Sequence, residues 1–282
     1  MNIESLEKIY NLRFYLFSIR FFPLFFFTIL IFVYMIPNYG FLNIYVLYNI
    51  FAILVSWLFS LIWVRFKMKL KYANKLYDDG QFTEVYKIYN ELQSETLWSK
   101  ERFMLDLNRA KLFYDVGNYK RFIELVDRLS LDVKKYPRQE SFYGILKAFY
   151  FEIKNEWSKA KVELENIYES TNKYHYKFQA SNNIARIERF LGHEISAKSY
   201  YEKAYDILKH KPKAKYFHIV IHNLLISYAR SKETQEADNL LHEYFDLVDK
   251  KDSKQMIEYT NNMTHYAREI QDKELLQKSY KI

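Results

Sequence analysis

The hydrophobic pattern changes character once along the chain. Residues 21–64 form a run of 44 positions without a charged side chain, dominated by Phe, Ile and Leu. Beyond it, apolar residues recur at helical spacing with polar residues between them, nearly to the C-terminus. About 20 apolar residues cross a bilayer core as a helix, so the run suffices for two spans and a turn. The turn signal is Pro37-Asn38-Tyr39-Gly40, in the middle of the run. The pattern therefore predicts a first span ending near Ile36, an external turn near 37–42 and a second span from about Asn43 to Val64. A cleaved signal peptide fits poorly, because the apolar core is bulky and no small-residue cleavage site follows it.

The flanks set an orientation. Lys8, Arg13 and Arg20 precede the run, and Arg65, Lys67, Lys69, Lys71 and Lys75 follow it, while the turn has neither Lys nor Arg. Cytoplasmic flanks collect Lys and Arg, so both termini are expected in the cytoplasm, with the chain a multi-pass protein of the cell membrane. Residues 1–20 then form a cytoplasmic segment and residues 65–75 a basic connector suited to anionic headgroups.

Downstream, the chain repeats itself. Equivalent turns fall at Gly80, Gly117, Asn155, Gly192, Lys232 and Gln271, with spacings of 37, 38, 37, 40 and 39 residues. Each turn separates two helical patterns, so each unit is a helix–turn–helix pair. Seven residues before the turn stand Ala73, Ala110, Ala148 and Ala185, replaced by Leu225 and Thr264 in the last two units. Five residues after it stand Val85, Phe122, Ala160, Ala197, Ala237 and Leu276. Tyr89, Val126, Leu164, Tyr201, Leu241 and Tyr280 follow four later, and Leu92, Leu129, Ile167, Ala204 and Tyr244 three after that. This is the i, i+4, i+7 stripe that the second helix of a pair must bury.

The pattern resembles the tetratricopeptide repeat family, most closely in residues 192–204, GHEISAKSYYEKA. The resemblance spans about 66–282 and implies an all-α fold, a solenoid of about six repeats behind a transmembrane helical hairpin. The period exceeds the family's usual ~34, which implies longer connections between units. Residues 42–79 contain no Gly or Pro, so the second span either continues into the first repeat helix or breaks near Arg65.

Composition narrows the chemistry. The 282 residues include no Cys, which removes disulfides, Cys-ligated metals and a Cys nucleophile. With five Gly in total and no phosphate-loop or nucleophile-elbow motif, a phosphate cradle is not expected. His218 and His222 stand at i, i+4, but no third ligand accompanies them, and the pair reads as groove or packing rather than metal. The net charge of +8 sits mostly in residues 65–75, not along a face, so nucleic acid is not the expected partner. No enzyme activity, cofactor or small-molecule substrate is expected. The richness in Lys, Asn, Tyr and Phe suits a low-GC bacterium.

One polar feature recurs. Nine residues before the turn stand Asn108, Asn183, Asn223 and Asn262, with Lys71 and Leu146 in the other two units. Asn is a poor helix-interior residue, so the row has a reason. In the repeat family this place faces the concave groove, which implies contact with a bound peptide backbone. An amide offers the donor and the acceptor that an extended chain needs. The same Asn could instead bridge neighbouring helices. The implied groove floor also holds Gln179, Asn182, Arg186, Arg189, Ile219, His222, Ile226 and Arg230. Its arginines would favour an acidic peptide or a C-terminal carboxylate. The expected function is a membrane-anchored adaptor that binds a peptide or protein segment in its groove and recruits it to the cytoplasmic membrane face. A peptide-sensing signalling protein and a non-catalytic subunit of a larger membrane complex are the alternatives.

Overall fold

A computed structural model describes residues 42–96, 98–211, 214, 216–248 and 252–279. The predicted N-terminal segment, first span and external turn lie outside the described residues. Among the described residues every regular element is helical. The chain divides into two compact units, residues 1–118 and 119–282.

The first unit is built on one long helix, α1 (Leu42–Asp78), of 37 residues. With no Gly or Pro to interrupt it, it runs unbroken for roughly 55 Å at 1.5 Å per residue, so the chain does not break at Arg65. Its surroundings change midway. Phe51, Leu58 and Trp63 are 65%, 55% and 46% exposed, whereas Phe66, Leu70, Ala73 and Leu76 are buried. The buried stripe, at i, i+4, i+7 spacing, packs on Val85, Tyr89 and Leu92 of α2 (Phe82–Glu95) and on Leu105 and Leu112 of α3 (Ser99–Asp115). One segment among the described residues, Phe51–Asp78 of α1, is long and apolar enough to cross a membrane. Only 6% of its most apolar stretch is buried, unlike the core helix of a soluble protein.

The second unit contains α4 (Tyr119–Ser130), two single 3-10 turns, α5 (Glu140–Ile153), α6 (Trp157–Ser170), α7 (Tyr174–Phe190), α8 (Glu194–Leu208), α9 (Phe217–Arg230), α10 (Thr234–Leu247), α11 (Ser253–Glu269) and α12 (Lys273–Ser279). Paired helices pack on each other, α5 on α6, α7 on α8 and α9 on α10. Each pair also packs on the next, α6 on α7, α8 on α9 and α9 on α11. α5 and α6 approach closely at Gly144: a Cβ there would lie 2.8 Å from Ile167 Cδ1 of α6, so the Ile167 side chain would have to shift.

The six turn residues aligned in the sequence are the six with positive φ among the described residues, from 58° at Asn155 to 82° at Gly192. Each closes a Schellman motif, in which two helix-end carbonyls are satisfied by the turn. At Gly192 its N–H donates to Arg189 O at 3.0 Å and His193 N–H donates to Glu188 O at 2.8 Å. The predicted core positions are buried with it. Ala73, Ala110, Ala148, Ala185, Val85, Phe122, Ala160, Ala197 and Ala237 are all at 0% exposure. Thr264 and Leu276 of the sixth pair are only half-buried, and Tyr280 lies outside the described residues.

Candidate partner-binding face

In the second unit, the asparagine row lies on the first helices of successive pairs, α7, α9 and α11. Asn223 Nδ2 donates to Asn182 Oδ1 at 3.0 Å, joining α9 to α7. Arg189 Nη2 donates to the Asn223 carbonyl at 2.9 Å. Asn262 is buried, and its Nδ2 donates to the His218 carbonyl at 2.9 Å, joining α11 to α9. Asn183 is half-buried and makes no side-chain hydrogen bond among the described residues. In the first unit, Asn108 is likewise half-buried and without such a bond. The row thus has two kinds of member. Asn223 and Asn262 bridge helices, while Asn108 and Asn183 keep their whole amide. The Asn182–Asn223 bond uses one donor and one acceptor, leaving an acceptor on Asn223 and a donor on Asn182.

Each arginine of the predicted floor already faces a carboxylate. Arg186 Nη2 donates to both oxygens of Glu152, at 2.7 and 2.5 Å. Burial pushes the Glu152 carboxyl above its ordinary range, and Arg186 pulls it part of the way back. Arg230 lies between Glu269, at 3.1 Å, and Glu194, at 3.4 Å. Arg189 stacks over Tyr201, 4.5 Å from the ring centre, with Glu194 at 4.0 Å. The positive charge expected for an acidic ligand is therefore largely matched inside the unit. Ile226 is buried, while Ile219 is exposed and Gln179 half-buried.

His222 meets His265 edge to face, ring centres 5.2 Å apart. Burial, then the His265 charge, holds its pKa below the usual histidine value. His218 Nδ1 lies 3.4 Å from Glu258. No group of three or more His, Asp or Glu that could hold a metal occurs among the described residues.

Glu152, Glu194, Glu269 and His265 are absent from the sequence reading. A signal existed for one of them: Arg230 and Glu269, which pair, each stand two residues before their turn, opposite charges one period apart.

The basic connector is divided in its use. Arg65 pairs with Glu95 at 3.4 Å, and Lys69 with Glu91 and Glu95 at 3.3 and 2.9 Å, which ties α1 to α2. Lys67 Nζ lies over the Trp63 ring, 5.5 Å from its centre. Lys71 and Lys75 are exposed.

No protein-family model matches the sequence, and no curated protein matches it. Solved structures do match in fold. A Rap protein complexed with Competence and Sporulation Factor aligns over 78% of this chain and 63% of its own, with 13% identity and a TM-score of 0.60. The apo form of RapI aligns over 77% of this chain and 82% of its own, with 13% identity and a TM-score of 0.57. The APC/C hetero-tetramer Cut9–Hcn1 aligns over 79% of this chain and 42% of its own, with 15% identity and a TM-score of 0.54. The chain has a tetratricopeptide-like helical-repeat fold. At these identities the likeness is one of fold alone.

Proposed function

We propose that this protein is a membrane-anchored scaffold whose repeats bind a peptide or protein segment at the cytoplasmic membrane face. The observation that carries the reading is the unbroken α1. Its N-terminal half exposes large apolar side chains and its C-terminal half is the first helix of the first repeat pair. Anchor and repeat are one element, so whatever the repeats hold is brought to the bilayer. The neighbouring folds support binding as the activity, since one is complexed with a factor and another is part of a hetero-tetramer.

Topology is the first test. The chain has no Cys, so single cysteines report cleanly. Asn38→Cys should be labelled by an impermeant thiol reagent in intact cells, and Ser253→Cys only after lysis. The reverse pattern would place the repeats outside and remove every cytoplasmic partner.

The asparagines test the groove. Asn183→Ala should leave the melting temperature unchanged or slightly raised, because no bond is lost and Ala favours the helix. If Asn183 contacts the partner backbone, co-purified partner should bind roughly fivefold more weakly, the worth of about 1 kcal/mol for one net hydrogen bond. Asn223→Ala should lose both affinity and a little stability, since it also holds Asn182. Retained binding in both variants, on folded protein, would move the site off this row. The partner class sorts the alternatives: integral proteins mark a complex subunit, and a short peptide alone marks a sensor.

A further inference from the structure

Trp98 stands beside the exposed half of α1, just ahead of α3. Its ring centre lies 6.3 Å from that of Phe59. Phe59, Ser60, Trp63, Trp98 and Glu101 line a shallow groove of about 310 Å³. Trp98 also lines a second one, about 320 Å³, with Ile62, Arg65, Phe66, Glu95 and Thr96. A side chain from the loop between α2 and α3 thus lies alongside the last apolar turns of the anchor helix.

Depth follows from helix geometry. Phe59 precedes Arg65 by six residues, about 9 Å along the axis. The zone between headgroups and hydrocarbon is about 5–8 Å thick on each side of a bilayer. With Arg65 among the headgroups, Phe59 and the Trp98 ring against it reach the boundary of the acyl chains. Indole, apolar with one N–H donor, favours that depth. The charges at the rim are mixed. Arg65 lines the second groove and, with Lys69, holds Glu95, while Lys67 lies over Trp63 of the first groove and Glu101 lines it.

We propose that the α2–α3 loop, through Trp98, is a second membrane contact, seated in the interfacial zone of an anionic bilayer beside α1. The proposal rests on the reading that α1 crosses the membrane. It adds a consequence: two contacts fix the first repeat in rotation about the α1 axis, which a single helix does not.

The test uses the full chain in phosphatidylcholine–phosphatidylglycerol vesicles, with an environment-sensitive dye on a single cysteine at Leu58→Cys, Ser99→Cys or Asp79→Cys. Lipids carrying a nitroxide high on the acyl chain should quench the dye at 58 and at 99. The dye at 79, just past the end of α1 and about 20 Å beyond Arg65, should not respond. Adding Trp98→Glu to Ser99→Cys should reduce its quenching severalfold while the dye at 58, with or without Trp98→Glu, is unchanged. Quenching at 58 with none at 99 would overturn the proposal and leave the anchor intact. No quenching at 58 would sink the anchor reading and this proposal with it.

Discussion

Ala197→Arg is expected to unfold the second unit at temperatures where the wild-type protein is fully helical. Ala197 stands five residues after the Gly192 turn on α8, at 0% exposure. It belongs to one core with Ala185 of α7, Tyr201 and Ala204. Small side chains there let α7 and α8 approach closely, so a guanidinium has neither room nor a partner. Burying an unpaired charge and overpacking the contact together put the loss above about 4 kcal/mol, a large part of a domain's total stability. The matched control is Ile195→Arg, two residues away and 83% exposed, which should stay within about 0.5 kcal/mol. Far-UV circular dichroism on heating the detergent-solubilised chain distinguishes them. Equal melting of the two variants would mean that the repeat register is wrong by about half a helical turn.

That register was legible because two independent signals agree in it. The turn demands a residue at positive φ, and the sequence supplies Gly at 80, 117 and 192 and Asn at 155. Lys232 and Gln271 carry no such mark, and there only the spacing to Ala237 or to the next apolar stripe places the turn. Those two sites bear a left-handed backbone without Gly, at a conformational cost that Gly would avoid. The continuity of α1 was half legible: the absence of Gly and Pro allowed it, and packing of Phe66, Leu70 and Ala73 on α2 secures it.

The polar site was less legible, for a geometric reason. Periodicity tells which face a residue occupies on its own helix. It does not tell which side chain on the next helix meets it, because that depends on rotation and stagger between helices. Arg186 shows this. On its own helix it reads as a free cation on the groove floor; across the repeat it meets Glu152, 34 residues earlier. Trp98 escaped for the opposite reason, since it falls between helical patterns where periodicity carries no information.

Breaking the Arg186–Glu152 pair from either side should give unequal results. Glu152 is almost wholly buried, its side chain 5% exposed, whereas that of Arg186 is 45% exposed. Arg186→Met leaves a buried carboxylate without its partner. Solvent at the arginine weakens the pair, so the expected loss is about 1–2 kcal/mol rather than the larger cost of a fully buried pair. Glu152→Gln removes the buried charge and keeps an acceptor oxygen beside Arg186, and should cost less. The pH dependence separates this account from simple loss of packing. Burial already raises the folded Glu152 pKa above its unfolded value of 4.5, and removing Arg186 should raise it further. The folded state of Arg186→Met then holds a proton that the unfolded state has released. Its stability deficit should be small near pH 4 and grow as pH rises through the raised pKa, levelling off above it. With Gln at 152 that slope should vanish. A deficit of Arg186→Met that does not change between pH 4 and pH 7 would mean that the pair is not the cause. Arg186 would then be free to act on a ligand, as its sequence position first suggested.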